Sequence, residues 1–353
     1  MSRFFNAALS GLDAYVPGEQ PQSGTFIKLN TNELPYPPSP LAAEAAAIEA
    51  KRLNLYPDPA AAAFTAAVAD WLGVGAENIM VTNGSDEALA FVFQGLCGDG
   101  AAFADVTYGF YIVLAQLYNI KVELIPLRDD FSLDPQDYAG TDGAVIVSNP
   151  NAPTGLALER DQMERLLRQN PNRLVVVDEA YIAFAGDVSA VPLIRQYDNL
   201  AVVGTFSKSH GLAGARLGYV AARPEVIADL ARVKFSFNPY SVNRMSLAAG
   251  MAALRDADYF RCCCDKVVAA REEAIRALRA LGFICTDSRA NFIFVRHADI
   301  PARTLYERLR QEGILVRWFD QPRVRDFLRV SVGTADDMAA LVDALKKIIS
   351  SLA

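Results

Sequence analysis

The feature that most constrains this chain is a recurrence. Short apolar runs rich in valine and isoleucine alternate with segments of helical character. "NIMVT" precedes "NGSDEALAFVFQGLC", "GAVIVSNP" precedes "DQMERLLRQN", and "RLVVVDEAY", "LAVVGTFS" and "LGYVAA" follow. Buried strands separated by helices specify βαβ units and a mostly parallel sheet. In such sheets, ligands collect at the carboxyl ends of the strands. The unusual polar residues fall there: Gly84 and Ser85, Asn149 to Gly155, Asp178, and Thr205 to Lys208.

Around this alternation the chain divides into three. Residues 1–38 form an extended arm of Pro, Gly and Asn, "YVPGEQPQSGTFIKLNTNELPYPPSP". Residues 39–245 read as a large α/β domain that opens with two helices, "LAAEAAAIEAKRL" and "AAAAFTAAVADWLG", the second closed by Gly73. Residues 246–353 read as a connecting helical stretch, weak near "RDADYF", and a smaller α+β domain completed by the N-terminal arm. That domain holds the strands "NFIFVR", "ILVRWF" and "FLRVSV" and a closing helix. The expected fold class is therefore α/β: a large domain with a mostly parallel, mixed sheet flanked by helices, plus a small domain built from both chain ends.

Composition excludes several function classes. With 41 acidic against 34 basic residues the net charge is -7, and no basic run offers a nucleic-acid surface. No apolar stretch has transmembrane length, and the first residues do not form a secretory signal, so a cytoplasmic location is expected. The triplet Cys262, Cys263 and Cys264 lacks C-x-x-C spacing, and on a helix its thiols point about 100° apart, so it reads as small helix residues. Two histidines, His210 and His297, are a poor basis for a zinc site or a Ser-His-Asp triad, and no metal is expected.

The strand-end residues carry the chemistry. In "FSKSHGLAGARLGY", Lys208 lies in a small-residue loop between two apolar runs. Burying an ammonium group is costly unless it is paired or neutral, so either the loop is a solvated turn or Lys208 reacts as an amine. Arg216, Thr205 and Ser207 would complete a cradle for a phosphorylated aldehyde. Gly84 permits a tight turn, and Ser85 opens a helix with Asp86 and Glu87 in its first turn; this suits either a plain cap or a phosphate. Asp178 ends a buried strand and needs a partner: a loop to cap, or a pyridinium N–H that it keeps protonated. Tyr181 could reach a ring hydroxyl, and Tyr108 offers a flat face for core packing or for stacking on a ring.

Taken in order, "TNGSDEAL", "SNPNAPTG", "VVVDEAY" and "FSKSHGLAGARLGY" resemble the fold type I pyridoxal-phosphate-dependent aminotransferases of classes I and II. "YVPGEQP", "KLNTNELPYPPSP" and "LYPDP" look like the histidinol-phosphate aminotransferase branch. The resemblance spans nearly the whole chain and implies pyridoxal 5'-phosphate as cofactor. It makes Lys208 the Schiff-base lysine, Asp178 the partner of the pyridine nitrogen and Tyr181 that of the ring hydroxyl. Tyr108 would stack on the ring, and Gly84, Ser85, Asp86, Thr205, Ser207 and Arg216 would surround the phosphate. Tyr56 would reach the cofactor of a neighbouring subunit, which makes a homodimer the active unit. Arg329 would grip the substrate carboxylate, Arg317 the substrate phosphate, and Tyr15 and Asn32 would line the substrate side.

Three positions depart from the family pattern. Ala152 replaces the asparagine that contacts the ring hydroxyl, leaving Asn151 or Tyr181 to supply that bond. Val106 and Leu34 replace a proline and an asparagine. The resemblance implies transfer of an amino group between an amine, histidinol phosphate, and a 2-oxo acid. An aromatic amino-acid aminotransferase, a threonine-phosphate decarboxylase or a regulatory protein that keeps only the cofactor would use the same motifs.

Overall fold

The computed structural model describes residues 2–21 and 24–352. The first elements are β1 (Ile27–Lys28), α1 (Pro40–Ala50) and α2 (Ala62–Leu72). A βα alternation follows: β2 (Ile79–Thr82), α3 (Ser85–Leu96), β3 (Ala101–Ala104), α4 (Phe110–Leu117), β4 (Val122–Ile125), β5 (Ala144–Ser148), α5 (Arg160–Gln169) and β6 (Val175–Asp178). Next come β7 (Leu200–Thr205), β8 (Gly218–Ala222), α6 (Pro224–Phe237), α7 (Arg244–Arg255) and α8 (Ala257–Ala280). The chain closes with β9 (Phe283–Cys285), β10 (Phe292–His297), α9 (Ala302–Gln311), β11 (Ile314–Leu315), β12 (Arg317–Trp318), β13 (Leu328–Ser331) and α10 (Ala335–Leu352).

Seven strands form one mixed sheet in the order β2-β8-β7-β6-β5-β3-β4. Only β8 runs against its neighbours. Side chains of a strand alternate between faces, and the valine runs use both. Val175 and Val177 join a core with Phe64 of α2, Leu166 of α5 and Ala253 of α7. Val176 joins the opposite core with Leu89 of α3, Tyr111 of α4 and Leu230 of α6. Helices thus cover both faces, which is why these strands read as continuous apolar runs.

Register sets the site. Ser148 is the partner of Asp178, and Asp178 of Val203, so the carboxyl ends of β5, β6 and β7 lie side by side. Thr82 and Thr205 both pair with Gly218, one from each side. That places the Gly84–Ser85 turn and the Thr205–Lys208 loop around a single point of the sheet edge.

A second, four-stranded antiparallel sheet, β12-β13-β10-β9, packs its own core with α8, α9 and α10 through Ile293, Val267, Leu305 and Leu341. β1 pairs in parallel with β11, so the arm is stitched to a segment near the far end of the chain. The connecting helical stretch is two helices, broken at Asp256 inside the weak "RDADYF" segment, and the Asp256 carboxylate accepts a 2.5 Å hydrogen bond from Ser39 Oγ. One element differs from its sequence reading. "ILVRWF" is split at Val316 into β11 and β12, which belong to different sheets. Among the described residues no helix is long and apolar enough to cross a membrane, and none of the His, Cys, Asp and Glu side chains group as metal ligands.

Candidate active site

A cavity of about 340 Å³ opens where β2, β6 and β7 end. Lys208, Asp178, Tyr181, Ser207 and Arg216 line it from the large sheet, and Arg317 and Arg329 from the small one. A second lobe of about 440 Å³ shares Tyr15, Tyr108, Ala152, Phe319 and both of those arginines with it.

Lys208 follows β7 and is half-buried. Its Nζ donates to Thr31 O at 3.2 Å and stands 6.0 Å from the Tyr181 ring centre. Burial above all, then the nearby Arg329, lowers its pKa to about 8 against the pull of Glu33 and Asp86; Arg216 adds to the lowering. A substantial fraction of the amine is therefore neutral near physiological pH, the state a nucleophilic or basic lysine needs. The solvated-turn alternative does not hold.

Asp178 ends β6 and is 3% exposed. Its Oδ2 accepts a hydrogen bond from Tyr111 Oη at 2.8 Å, and its Oδ1 one from Ala180 N at 3.1 Å. Both donors are neutral, and no cation pairs with it among the described residues. Burial accordingly raises its pKa to about 6, with the Tyr111 hydrogen bond opposing. An uncompensated buried carboxylate at a cavity wall is a receptor for a cationic N–H. Tyr181, also buried, accepts from Asn32 Nδ2 at 3.1 Å, which leaves the phenol hydrogen for the cavity.

The α3 end of the cavity is built for an anion. Gly84 (φ 82°) is the N-cap of α3 and Ser85 the first helical residue, so the cap position has no side chain and Ser85 is not the cap. The helix's leading N–H groups and Ser85 face the same space. A Cβ at Gly84 would lie 2.6 Å from Arg216 Nη2, so glycine leaves room for the guanidinium. Arg216 reaches Asp86 Oδ2 at 3.1 Å and Ser207 Oγ at 3.3 Å. Thr205 Oγ1 donates to Ser207 Oγ or Leu217 O, each at 3.1 Å. Tyr108 Oη donates to Asp86 Oδ1 at 3.1 Å, which fixes the tyrosine at the cavity wall.

On the opposite wall, Arg317 and Arg329 are direct register partners on β12 and β13. Two like charges facing each other across a strand pair oppose folding, yet both line the cavity. Arg329 Nη2 donates to Asn30 O at 3.0 Å, and its buried Nε has no hydrogen-bond partner among the described residues. Asn32 sits at φ 57°, its Oδ1 accepting from Ser331 Oγ at 2.8 Å, which holds its amide toward Tyr181. Tyr15 packs edge-on against Tyr108 at 6.1 Å.

Two expected residues stand outside the cavity. Asn151 is one of the two residues offered in place of the missing asparagine, but its side chain is consumed by Thr107, Val106 O and Thr154. It faces a separate cavity, while Ala152 presents its methyl to the main one. Tyr56 is 78% exposed and stacks on Tyr240 at 4.6 Å, outside the cavity. Sequence reasoning missed Tyr111, the main partner of Asp178, and Glu33, which pairs with Lys28 beside Lys208. The aromatic run "GFYIVL" was their only visible signal for Tyr111.

Comparison with known proteins agrees with this geometry. The pattern of aminotransferase class I and II matches residues 24–345. This chain belongs to that family. The aminotransferase is 49% identical over 352 residues to the histidinol-phosphate aminotransferase of a Marinomonas species, covering 98% of this chain and 99% of the relative. It is 44% identical over 353 residues to that of Clostridium acetobutylicum, covering 99% and 100%. Among solved structures, histidinol-phosphate aminotransferase from Sinorhizobium meliloti, in complex with pyridoxal-5'-phosphate, superposes with a TM-score of 0.90 at 25% identity, covering 100% of this chain and 99% of that one.

The cofactor of this aminotransferase is pyridoxal 5'-phosphate, and the residues present fit it. The buried carboxylate of Asp178 lacks a cation, as a pyridinium partner requires. The Gly84–Arg216 cradle has no room for a Cβ and offers N–H, hydroxyl and guanidinium donors, as a phosphate requires.

Proposed function

We propose that this aminotransferase converts histidinol phosphate and 2-oxoglutarate to imidazole-acetol phosphate and glutamate, a step of histidine biosynthesis. The observation that carries the reading is the Arg317–Arg329 register pair. Two guanidiniums side by side at one cavity wall are stabilised by an anion between them, and phosphate and carboxylate both fit the guanidinium fork. Full-length relatives named for this activity support it.

When bound, pyridoxal phosphate supplies an aldehyde carbon for amines and a cationic ring that accepts electron density from the substrate's Cα. The chain's residues do the rest. Lys208 Nζ would hold the cofactor, and its amine, neutral when freed, would be the base that takes up and gives back the substrate's Cα proton. Asp178 keeps a proton on the ring nitrogen, and Tyr111 aims its carboxylate. Tyr181 donates to the ring hydroxyl alone, since Ala152 has no donor. Ser85, Ser207, Thr205 and Arg216 grip the cofactor phosphate, with Gly84 giving them room and Asp86 orienting Arg216. Tyr108 covers the ring. Arg329 binds glutamate's carboxylate and the substrate anion in turn, Arg317 favours the phosphate, and Tyr15 and Asn32 close the substrate side.

The same reading makes the active unit a cytoplasmic homodimer. Leu53, Leu55, Tyr56 and Phe237 are all more than half exposed, a large apolar area that a second copy would cover. All five cysteines are free, as in a reducing compartment. The separate cores of the two sheets support a division into two domains, with the arm's Leu29 and Leu34 in the small one; α7, beyond residue 245, packs its Ala249 and Ala253 into the large one, which puts the second boundary nearer Asp256.

The test is spectroscopic. Histidinol phosphate added to the cofactor-loaded protein without an oxo acid should bleach the visible absorbance band, and 2-oxoglutarate should restore it. Lys208→Ala should lose turnover, and borohydride should no longer fix cofactor mass on the protein. A band that responds only to phenylalanine or tyrosine, or CO₂ release from threonine phosphate, would replace this substrate assignment.

A further inference from the structure

Residues 13–20 lie across both lobes of the cavity: Asp13 to Val16 line the outer lobe, and Tyr15, Pro17, Gly18 and Gln20 the one that holds Lys208. Among the described residues, 13–19 make no backbone–backbone hydrogen bond. Their position rests on side chains. Asp13 N donates to Gln116 Oε1 at 3.4 Å, Asn30 Nδ2 donates to Glu19 O at 2.8 Å, and Glu19 pairs with Arg310 at 2.8 Å.

Between these ties stands Arg317. Its Nη2 donates to Val16 O at 2.8 Å and its Nη1 to Pro17 O at 3.2 Å. A guanidinium has five N–H groups in one plane, so three remain. They belong to a group that lines the cavity beside Arg329, its register partner, and rests 5.3 Å from the Phe319 ring.

We propose that Arg317 is a positioning residue that couples the arm to the substrate's anion. One edge of the guanidinium holds the carbonyls of Val16 and Pro17, and the remaining donors hold the phosphate. An anion shared with Arg329 relieves the like-charge pairing and immobilises Arg317, which immobilises the arm. Coupling is reciprocal, so a seated arm raises affinity for the anion. Only a planar fork serves both sides; a lysine ammonium keeps the charge but cannot hold two carbonyls and a phosphate in fixed directions. The phosphate-bearing substrate rests on the function proposed above; the arm contacts do not.

The experiment is amide hydrogen exchange of residues 14–20 in the cofactor-loaded protein, with inorganic phosphate and with histidinol phosphate as probes. Wild-type exchange should slow about tenfold with histidinol phosphate, the scale of one or two hydrogen bonds to a charged group. Arg317→Lys should exchange faster without ligand and lose that response, and its KM for histidinol phosphate should rise more than its kcat falls. Glu19→Gln, which cuts a tie away from the anion, should exchange faster but keep the tenfold response. If Arg317→Lys retains the response, or Glu19→Gln loses it to the same degree, Arg317 is not the coupling group. If histidinol phosphate is not turned over but inorganic phosphate still slows the arm through Arg317, the coupling stands and the substrate assignment falls.

Discussion

Lys208 answers to two opposed fields. Burial and Arg329 push its proton off; Glu33 and Asp86 hold it on. The cofactor-free protein should therefore capture pyridoxal phosphate faster as pH rises through about 8. Arg329→Gln removes a cation, so that midpoint should move upward, toward the ordinary lysine value, alongside the loss of substrate affinity. An unmoved midpoint would show that Arg329 does not act on the amine. Asp178 gives a second pH signature. Burial holds its folded-state pKa at about 6, above the ordinary aspartate value of 3.8, so the cofactor-free fold loses stability as pH rises between them. A ring N–H offsets that loss. The rise in Tm on adding cofactor should be larger at pH 8 than at pH 5, and Asp178→Asn should flatten the difference. The same substitution should cut turnover on the order of 10²- to 10³-fold, the scale of one preorganised electrostatic partner. Glu179, pushed up to about 7 by burial and bonded to Ala190 N and Ser189, faces away from the cofactor and should contribute equally in both forms. At this scale the sequence was legible where a residue's type is unusual for its place, as with a lysine or an aspartate at a buried strand end. It was not legible where hydrogen bonding decides. Nothing in "SNPNAPTG" says that Thr107 and Thr154 will claim the Asn151 amide.

The elements translate those residues into geometry. Helix α3 starts at Ser85 only because Gly84 takes φ 82°, and a methyl there would press on Arg216. Gly84→Ala should cost about 1–3 kcal/mol of stability while weakening cofactor affinity at least tenfold, measured by fluorescence titration on the folded variant; unchanged affinity would remove this turn from the phosphate site. Helix α4 acts from below. Tyr111→Phe would leave Asp178 Oδ2 without its donor, and should cost about 1–3 kcal/mol of stability in the cofactor-free form, less once a ring N–H is present. Strands β5 to β7 were legible because each is buried on both faces and spelled in valine and isoleucine. β3, "AAFA", is equally buried but spelled in alanine, which favours helices, and β4, "VELI", is an edge strand that exposes both Glu123 and Leu124 and so shows no two-residue alternation. Neither betrays itself by composition. "ILVRWF" reads as one strand because its β-branched and aromatic residues run on either side of a single arginine, and only the tertiary pairing of Ile27 with Ile314 shows why it breaks.

The whole molecule should be bipartite in function as well as form. If Tyr56 serves the neighbouring subunit, Lys208→Ala and Tyr56→Ala proteins, each weak alone, should regain about a quarter of wild-type activity when unfolded together and refolded. Random pairing makes half the dimers mixed, and each mixed dimer has one intact site. No recovery would place Tyr56 in its own subunit's service. Leu55→Arg should sediment as a monomer. The fold class and the division of labour between the two sheets could be read along the chain, because local patterns fix them; the meeting of Arg317, Arg329 and the arm could not, because it depends on pairings between distant segments. One such pairing sets the order of assembly. β1 is made before its partner β11, which comes almost 300 residues later. The large sheet is complete at Ala222 and can fold while the ribosome is still translating. The arm must wait, unpaired, until residues 314–315 emerge. A newly made chain therefore holds its cofactor cradle before it holds the wall that selects substrate, and the nascent protein is a binder of the vitamin-derived cofactor before it is an enzyme.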